Sequence, residues 1–185
     1  MRLFALAVPL LAATPVFAQV ELPQRRAGQW EVTISTGEGA AASQVQMQAC
    51  TDAASERAMM AMGAGQMGQM CQRNEIRRDG QDYVMESDCQ MGPMRVISNS
   101  RITGDFQSAY QMRIEGQVTG MPGAAQQKTL TTQSARFVSP TCTGGLVPGD
   151  MLLPGGQKVN VLNMPGMRPG GATPAPAGGA NRRQP

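Results

Sequence analysis

An N-terminal export signal followed by four cysteines constrains this chain more than any other feature of its sequence. Arg2 precedes an apolar run from Leu3 to Ala13, and Val16 and Ala18 are suitable residues for cleavage after Ala18. The apolar run is too short to cross a bilayer as a helix, which argues against an N-terminal membrane anchor. We therefore expect residues 1–18 to be a cleaved signal peptide and no later segment to be transmembrane. The mature protein is expected to be periplasmic or secreted.

The four cysteines all lie in the expected mature part, at Cys50, Cys71, Cys89 and Cys142. In an oxidising compartment an even number of cysteines indicates disulfides, here two. A zinc-type site is disfavoured because the chain has no C-x-x-C pair and no histidine. Four cysteines allow three pairings, and their number alone does not choose among them.

A predicted hairpin favours the pairing of Cys71 with Cys89 and of Cys50 with Cys142. A three-residue loop at Asp79–Gln81 would place Cys71 directly opposite Cys89 in the flanking strands. A two-residue Asp-Gly loop would instead shift the register by one residue and turn the two side chains to opposite faces. The predicted pairing therefore depends on the type of loop.

Aromatic residues form only 4% of the chain, and two of the four phenylalanines lie in the predicted signal peptide. A domain with so few large side chains buries little area per residue, and disulfides would compensate for this. Residues 19–142 carry 11 basic and 12 acidic groups (net −1), whereas residues 143–185 carry 4 basic groups and 1 acidic group (net +3). The expected domain therefore lacks the basic patch of a nucleic-acid-binding protein, and nucleic acid is not an expected partner.

Alternation of apolar and polar residues predicts about seven strands separated by short turns. The clearest alternation has Tyr110, Met112 and Ile114 on one face of a strand and polar residues on the other. One short helix is expected from Ala53 to Met62, because Asp52 can cap it and glycines follow it. The fold class is therefore mainly β, an antiparallel meander with one short helix, either flat or curled into an open barrel.

The chain changes character after Cys142. Residues 143–185 contain 10 glycines and 7 prolines among 43 residues, and residues 160–185 have no usable periodicity. This composition predicts a Gly/Pro-rich disordered tail over 143–185, with local order limited to about residues 146–162.

Several short motifs occur in an order that resembles the DUF3617 family. They are AGQWEVTIST at Ala27–Thr36, MQAC at Met47–Cys50, CQRNEIRRDGQDYVMESDC at Cys71–Cys89 and TC at Thr141–Cys142. The resemblance covers about residues 20–142 and implies a small exported bacterial protein with four similarly placed cysteines. It implies no activity and no catalytic residue. We accordingly expect a signal peptide at 1–18, a DUF3617-like β domain at 19–142 and the tail at 143–185.

Methionine is the most unusual residue of the chain, with fifteen copies. Five of them precede the second cysteine, at Met59, Met60, Met62, Met67 and Met70. Thioethers are soft ligands that suit Cu(I), so segment 59–70 is a candidate copper site, and copper is the one cofactor considered. The alternative is that these side chains fill the core or are tolerated in a loop, because methionine adapts to irregular space.

Catalytic patterns are weak in this sequence. Without histidine no Ser-His or Cys-His nucleophile pair can form. Asp82, Glu86 and Asp88 share one strand face, which would suit a hydrolase only if they met in a cleft. Because that face alternates with Tyr83 and Met85, we interpret it as the solvated side of the sheet. We expect no enzymatic activity and no catalytic residues.

The expected function is that of an exported, non-enzymatic β domain that acts as a binding or envelope-associated module. Its ligand and partner are not indicated by the sequence. A binding surface would be concave and apolar, lined by residues such as Trp30, Tyr110 and Met112. The alternative function is soft-metal binding through the methionines of segment 59–70.

Overall fold

The described part of the chain folds as one antiparallel sheet with a single α-helix. The computed structural model describes residues 20–39, 42–121, 123 and 126–164, so the predicted signal peptide lies outside it. The strands are β1 (Gly28–Thr36), β2 (Ser43–Thr51), β3 (Cys71–Asp79), β4 (Asp82–Met91), β5 (Met94–Gly104), β6 (Ala109–Thr119), β7 (Gln127–Ser139), β8 (Asp150–Leu152) and β9 (Lys158–Asn160). The helix α1 spans Ala53–Met70, and short 3-10 helices span Pro154–Gly156 and Val161–Asn163.

Neighbouring strands follow the order β3-β4-β5-β6-β7-β1-β2-β8-β9, and all pairings are antiparallel. Strands β3 to β7 form a meander, and β1 joins it by pairing with β7. Helix α1 connects β2 to β3, which is the far edge of the sheet. The predicted mainly-β fold is confirmed, and the sheet is open rather than closed. The two short strands β8 and β9 are additional to the seven predicted.

Helix α1 is longer than predicted. The Asp52 carboxylate accepts a hydrogen bond from the backbone N–H of Ser55, and Ser55 Oγ accepts one from the backbone N–H of Asp52, both at 2.8 Å. This reciprocal capping box fixes the predicted start of the helix. The helix ends at Met70 rather than Met62 and includes three glycines between residues 63 and 68. Each glycine costs about 1 kcal/mol relative to alanine, but the neighbouring Ala, Met and Gln residues favour helix.

The hairpin between β3 and β4 has a different loop from the one predicted. Asp79 pairs with Asp82, so the loop contains two residues, Gly80 and Gln81, rather than three. Gly80 has φ +65°, and glycine suits the first central position of a II′ turn. This loop alone would separate the cysteines to opposite faces, but a β-bulge after Cys71 restores their register.

Both disulfides join the pairs that the hairpin favoured. Cys71 bonds Cys89 across the β3–β4 ladder, and Cys50 at the end of β2 bonds Cys142 after β7. The second bridge links residues 92 positions apart and is almost inaccessible at Cys50.

The core lies on one face of the sheet. Its first cluster surrounds Trp30, which is fully buried and donates from its indole N–H to the Arg26 carbonyl at 2.8 Å. Its second cluster surrounds Tyr83 and Phe106, and is covered by Val20 and Leu22 of the segment before β1. The segment before β1 is therefore part of the core through Val20 and Leu22.

A buried ion pair fastens this segment to the helix. Arg25 Nε lies 3.0 and 3.1 Å from the two carboxylate oxygens of Glu56, and Arg25 Nη2 lies 2.5 Å from Oε1. The two side chains are only 9% and 6% exposed. Burial opposes the charge of the guanidinium, but its hydrogen bonds to Glu56 prevail and hold the pKa of Arg25 above its usual value.

Regular structure continues beyond Cys142, in β8, β9 and the two 3-10 helices, which lie in or next to the stretch 146–162 where the sequence allowed local order. The Gly149 N–H donates to the Cys50 carbonyl at 2.8 Å, and β8 pairs with β2. Asp150 is buried and accepts hydrogen bonds from the Val147 N–H at 3.0 Å and from Asn160 Nδ2 at 2.8 Å. Burial alone would raise the pKa of Asp150, but these hydrogen bonds lower it. Residues 165–185 of the predicted tail lie outside the described residues.

Gly28 at the start of β1 is expected to tolerate no side chain. Its φ is +134°, and a Cβ at this position would lie 2.2 Å from the Ser139 carbonyl oxygen. We expect Gly28→Ala to lower the free energy of unfolding by about 3 kcal/mol, because backbone strain adds to a clash with backbone. Gly65→Ala is the control: a Cβ there meets nothing within 4 Å, and the helix should gain about 1 kcal/mol. Urea denaturation followed by circular dichroism measures both changes. Equal effects of the two substitutions on the free energy of unfolding would contradict the prediction that Gly28 tolerates no side chain.

Candidate functional site: a polar trough

The face of the sheet opposite the core carries alternating basic and acidic side chains. Every second residue of a strand lies on this face, because strand side chains alternate. On β3 these residues include Arg73 and Glu75, and on β6 they include Arg113 and Glu115. We call this surface the polar face.

The polar face is concave. A trough of about 1000 Å³ is lined by residues of β3, β4, β5, β6 and β7 together with the turn between β1 and β2. The turn is fixed to β7 by a hydrogen bond from the Gly37 N–H to the Leu130 carbonyl at 2.9 Å, and Glu38 follows it at the rim.

Charged groups in the trough are largely paired with one another. Arg73 lies 2.8 Å from Glu86, and Arg113 lies 3.0 Å from Glu115. Just outside the lining, Arg95 lies 2.6 Å from Asp88. The lining contains three basic side chains and four acidic ones, which gives a near balance of charge.

Ionisation of the trough carboxylates is supported by these arginines. The hydrogen bond from Arg95 holds the pKa of Asp88 below its ordinary value. On neighbouring β3, the hydrogen bond from Arg73 lowers the pKa of Glu75 in the same way. The polar face therefore presents fixed carboxylates and guanidinium groups at neutral pH, and both kinds of group can form charge-assisted hydrogen bonds.

Two aliphatic side chains interrupt the charges of the trough. Ile97 of β5 is 44% exposed, and Leu130 of β7 is half-buried. They provide an apolar floor between the ion pairs. A second hollow of about 710 Å³ lies on the same face near Glu31, Thr103 and Arg136, so the concavity continues along the strands.

Of the residues predicted to line an apolar binding surface, Trp30 is fully buried in the core, whereas Tyr110 and Met112 are half-buried and packed against core clusters. The Trp30 ring contacts Tyr110 and Phe137, with ring centroids 6.0 and 5.6 Å apart. Tyr110 also stacks on Phe106 at 5.0 Å, and Met112 packs against the same cluster. The sequence distinguished the apolar face correctly, and the trough lies on the opposite face.

The five methionines of the candidate copper site all lie on helix α1. A helix places residues three or four apart side by side, so Met59 neighbours Met62 and Met67 neighbours Met70. The two pairs are separated by more than one turn, and the fifth methionine projects about 100° around the helix from Met59. Met59 Sδ accepts from Arg25 Nη2 at 3.7 Å. Binding of Cu(I) stays a prediction. The helix places two thioethers side by side in each of the pairs Met59–Met62 and Met67–Met70.

The three carboxylates considered for hydrolysis lie on the polar face, next to arginines. Asp82 lies 2.8 Å from Arg101 Nη1, Glu86 pairs with Arg73, and Asp88 pairs with Arg95. They are therefore on the solvated side of β4, as the alternation indicated. In the described ranges, no three His, Cys, Asp or Glu residues form a cluster suited to a metal ion.

Sequence reasoning placed two residues of the trough, Glu86 and Asp88, on the solvated face of a strand but did not identify the trough. A signal that could have indicated the polar face is the spacing of Arg73 with Glu75 and of Arg113 with Glu115, two residues apart on their strands. Such a pattern is usual for any solvated sheet face, and the trough forms only where residues of five strands and a turn come together.

Together these features define a class of protein: a small, mainly β domain with an open antiparallel sheet, two disulfides and a hollow polar face. Residues 25–142 match the model of the DUF3617 family, described as "Protein of unknown function", and the chain belongs to this family. No curated protein and no solved structure matches the chain. Among the described residues, no helix combines the length and the apolarity needed to cross a membrane.

Proposed function

We propose that the protein is an exported, non-enzymatic binding module that holds a polar peptide segment in the trough. The observation that carries the proposal is the concave polar face, where paired charges surround an apolar floor. Concave surfaces with convergent polar groups are the usual sites of ligand binding. Export is supported by the predicted signal peptide and by the two disulfides, which are compatible with an oxidising compartment.

The choice of ligand class follows from the lining. A polyanion would be attracted by an excess of basic groups, but here acidic side chains outnumber basic ones by four to three. A peptide offers carboxylates, ammonium groups and amides that match the mixed charges of the trough. Its aliphatic side chains would fit against Ile97 and Leu130.

The non-enzymatic part of the proposal has separate support. A carboxyl group that acts as a general acid requires a raised pKa. The Asp88 carboxyl has a lowered pKa because it accepts a hydrogen bond from Arg95. This group is suited to accepting hydrogen bonds from a ligand rather than to donating a proton.

Ile97→Glu tests the proposal, with Val138→Glu as its matched control. Both are β-branched residues on strands, 44% and 47% exposed, but only Ile97 lines the trough. Peptides selected from a random display library on the exported protein would be titrated by calorimetry against the two variants. We expect selected peptides to combine an aliphatic residue with both signs of charge. Ile97→Glu should raise the dissociation constant of these peptides about tenfold, which corresponds to the loss of one apolar contact.

Two outcomes would count against peptide binding in the trough. One is a selection that enriches no peptide. The other is an affinity that falls equally in the Ile97 and Val138 variants, which would place the bound peptide elsewhere on the surface.

A further inference from the structure

The open sheet has one long unpaired edge. Strand β3 has nine residues and pairs only with β4 in the described part of the chain. The opposite side ends in the three-residue strand β9, and there β8 leaves the five residues Ser43–Met47 of β2 uncovered. An exposed edge presents a row of free N–H and C=O groups that can pair with another strand, and proteins usually block such edges.

The side chains of β3 determine which strand would fit that edge. Along the polar face they are Arg73, Glu75, Arg77 and Asp79, and along the core face Ile76 lies near the middle. In an antiparallel pair of two identical strands, a register centred on Ile76 would place Glu75 opposite Arg77 of the second copy. The same register would place Arg73 opposite Asp79 of the second copy. Oppositely charged cross-strand pairs stabilise a sheet, and like charges destabilise it.

The two neighbouring registers bring like charges together. Centring on Glu75 would oppose this carboxylate with its own copy and Arg73 with Arg77. Centring on Arg77 would oppose that guanidinium with its own copy and Glu75 with Asp79. The strand is therefore complementary to itself in the register centred on Ile76, where two apolar side chains also meet.

Nothing in the described structure obstructs this pairing along the middle of β3. Glu75 is 65% exposed and Asp79 is 47% exposed. A Cβ added to Gly80 at the turn would meet no atom within 4 Å, so the end of the hairpin is open. Helix α1 meets β3 at Cys71, outside the self-complementary stretch.

We propose that two copies of this chain associate through antiparallel β3–β3 pairing centred on Ile76, which joins their sheets into one. The interface is isologous, because each residue pair occurs twice about a two-fold axis. Main-chain hydrogen bonds supply the attraction, and the alternating charges set the register. This association does not require a ligand in the trough.

Charge reversal at Glu75 and Arg77 tests the proposal. Sedimentation equilibrium over a wide concentration range would compare the oxidised wild-type protein with Glu75→Arg, Arg77→Glu and the double variant. Each single change opposes like charges twice, and we expect the dimer dissociation constant to rise at least tenfold. The double variant restores opposite charges and should return to within about threefold of wild type. An equimolar mixture of the two single variants should form heterodimers, because one has only arginines and the other only glutamates at these positions.

Glu21→Arg is the control for net charge, since it changes an exposed residue far along the chain by the same two charge units. It should leave the dissociation constant unchanged. A protein that stays monomeric at all concentrations would overturn the proposal. This outcome includes the case in which β3 pairs with a strand of another protein instead of with a second copy. A dimer that responds equally to Glu21→Arg and Glu75→Arg, or is not rescued in the double variant, would overturn it as well.

Discussion

Replacing Cys50 and Cys142 together with serine is expected to lower the free energy of unfolding by about 4.5 kcal/mol. The bridge closes a loop over a sequence separation of 92 residues, and its loss frees the unfolded chain to adopt many more conformations. In the folded state it also anchors the C-terminal segment, whose Gly149 N–H donates to the Cys50 carbonyl. Denaturant unfolding of the oxidised proteins, followed by tryptophan fluorescence, measures the loss because Trp30 is fully buried.

The matched comparison is the double serine variant of Cys71 and Cys89. These residues are only 18 positions apart, so the same loop-closure entropy gives a smaller loss of about 3 kcal/mol. A larger effect for the short loop would show that chain entropy does not decide the ranking. The inference that the two bridges compensate for a lean core would then need another physical basis.

Glu56→Gln is expected to lower the free energy of unfolding by about 3 kcal/mol, because it leaves the buried Arg25 guanidinium without a counter-charge. The two side chains are nearly inaccessible, and their bidentate geometry satisfies both partners. The change would loosen the segment before β1 from helix α1 while the sheet remains paired. Hydrogen exchange should therefore increase first in residues 20–27 and in the first turn of α1.

Two further variants separate charge from packing at this site. The double replacement Arg25→Met with Glu56→Leu should recover most of the lost stability, since buried ion pairs can be exchanged for apolar residues of similar size. Glu115→Gln, which breaks an exposed pair with Arg113, should leave stability unchanged within error. If Glu56→Gln behaved like Glu115→Gln, the pair would contribute nothing to the fold.

The strands could be predicted because their alternation is local. Tyr110, Met112 and Ile114 lie on the core side of β6 as expected, and Asp52 caps the helix as expected. The helix end was missed because three glycines outweighed the good helix formers beside them in the prediction. In the structure the helix continues to the residue before the disulfide at Cys71.

Features that depend on distant contacts were harder to predict. The sequence allowed a loop of either two or three residues at Gly80. No residue pattern predicted the β-bulge that places Cys71 opposite Cys89. The strand β8 is only three residues long in a Gly/Pro-rich stretch, and its order depends on β2 and on the buried Asp150. The trough is lined by residues of five strands and a turn, and no single strand encodes that arrangement.

The short strands β8 and β9 determine how far strand addition could proceed. Residues 25–142 match the family, so these strands lie beyond the matched region, and β8 pairs with Gln48 and Ala49 of β2. Without β8 the whole outer edge of β2 would be open in addition to β3, and copies could add to one another without limit, as in a fibre. With β8 in place the open part of that edge is shortened to Ser43–Met47, so pairing is favoured at the nine-residue edge of β3.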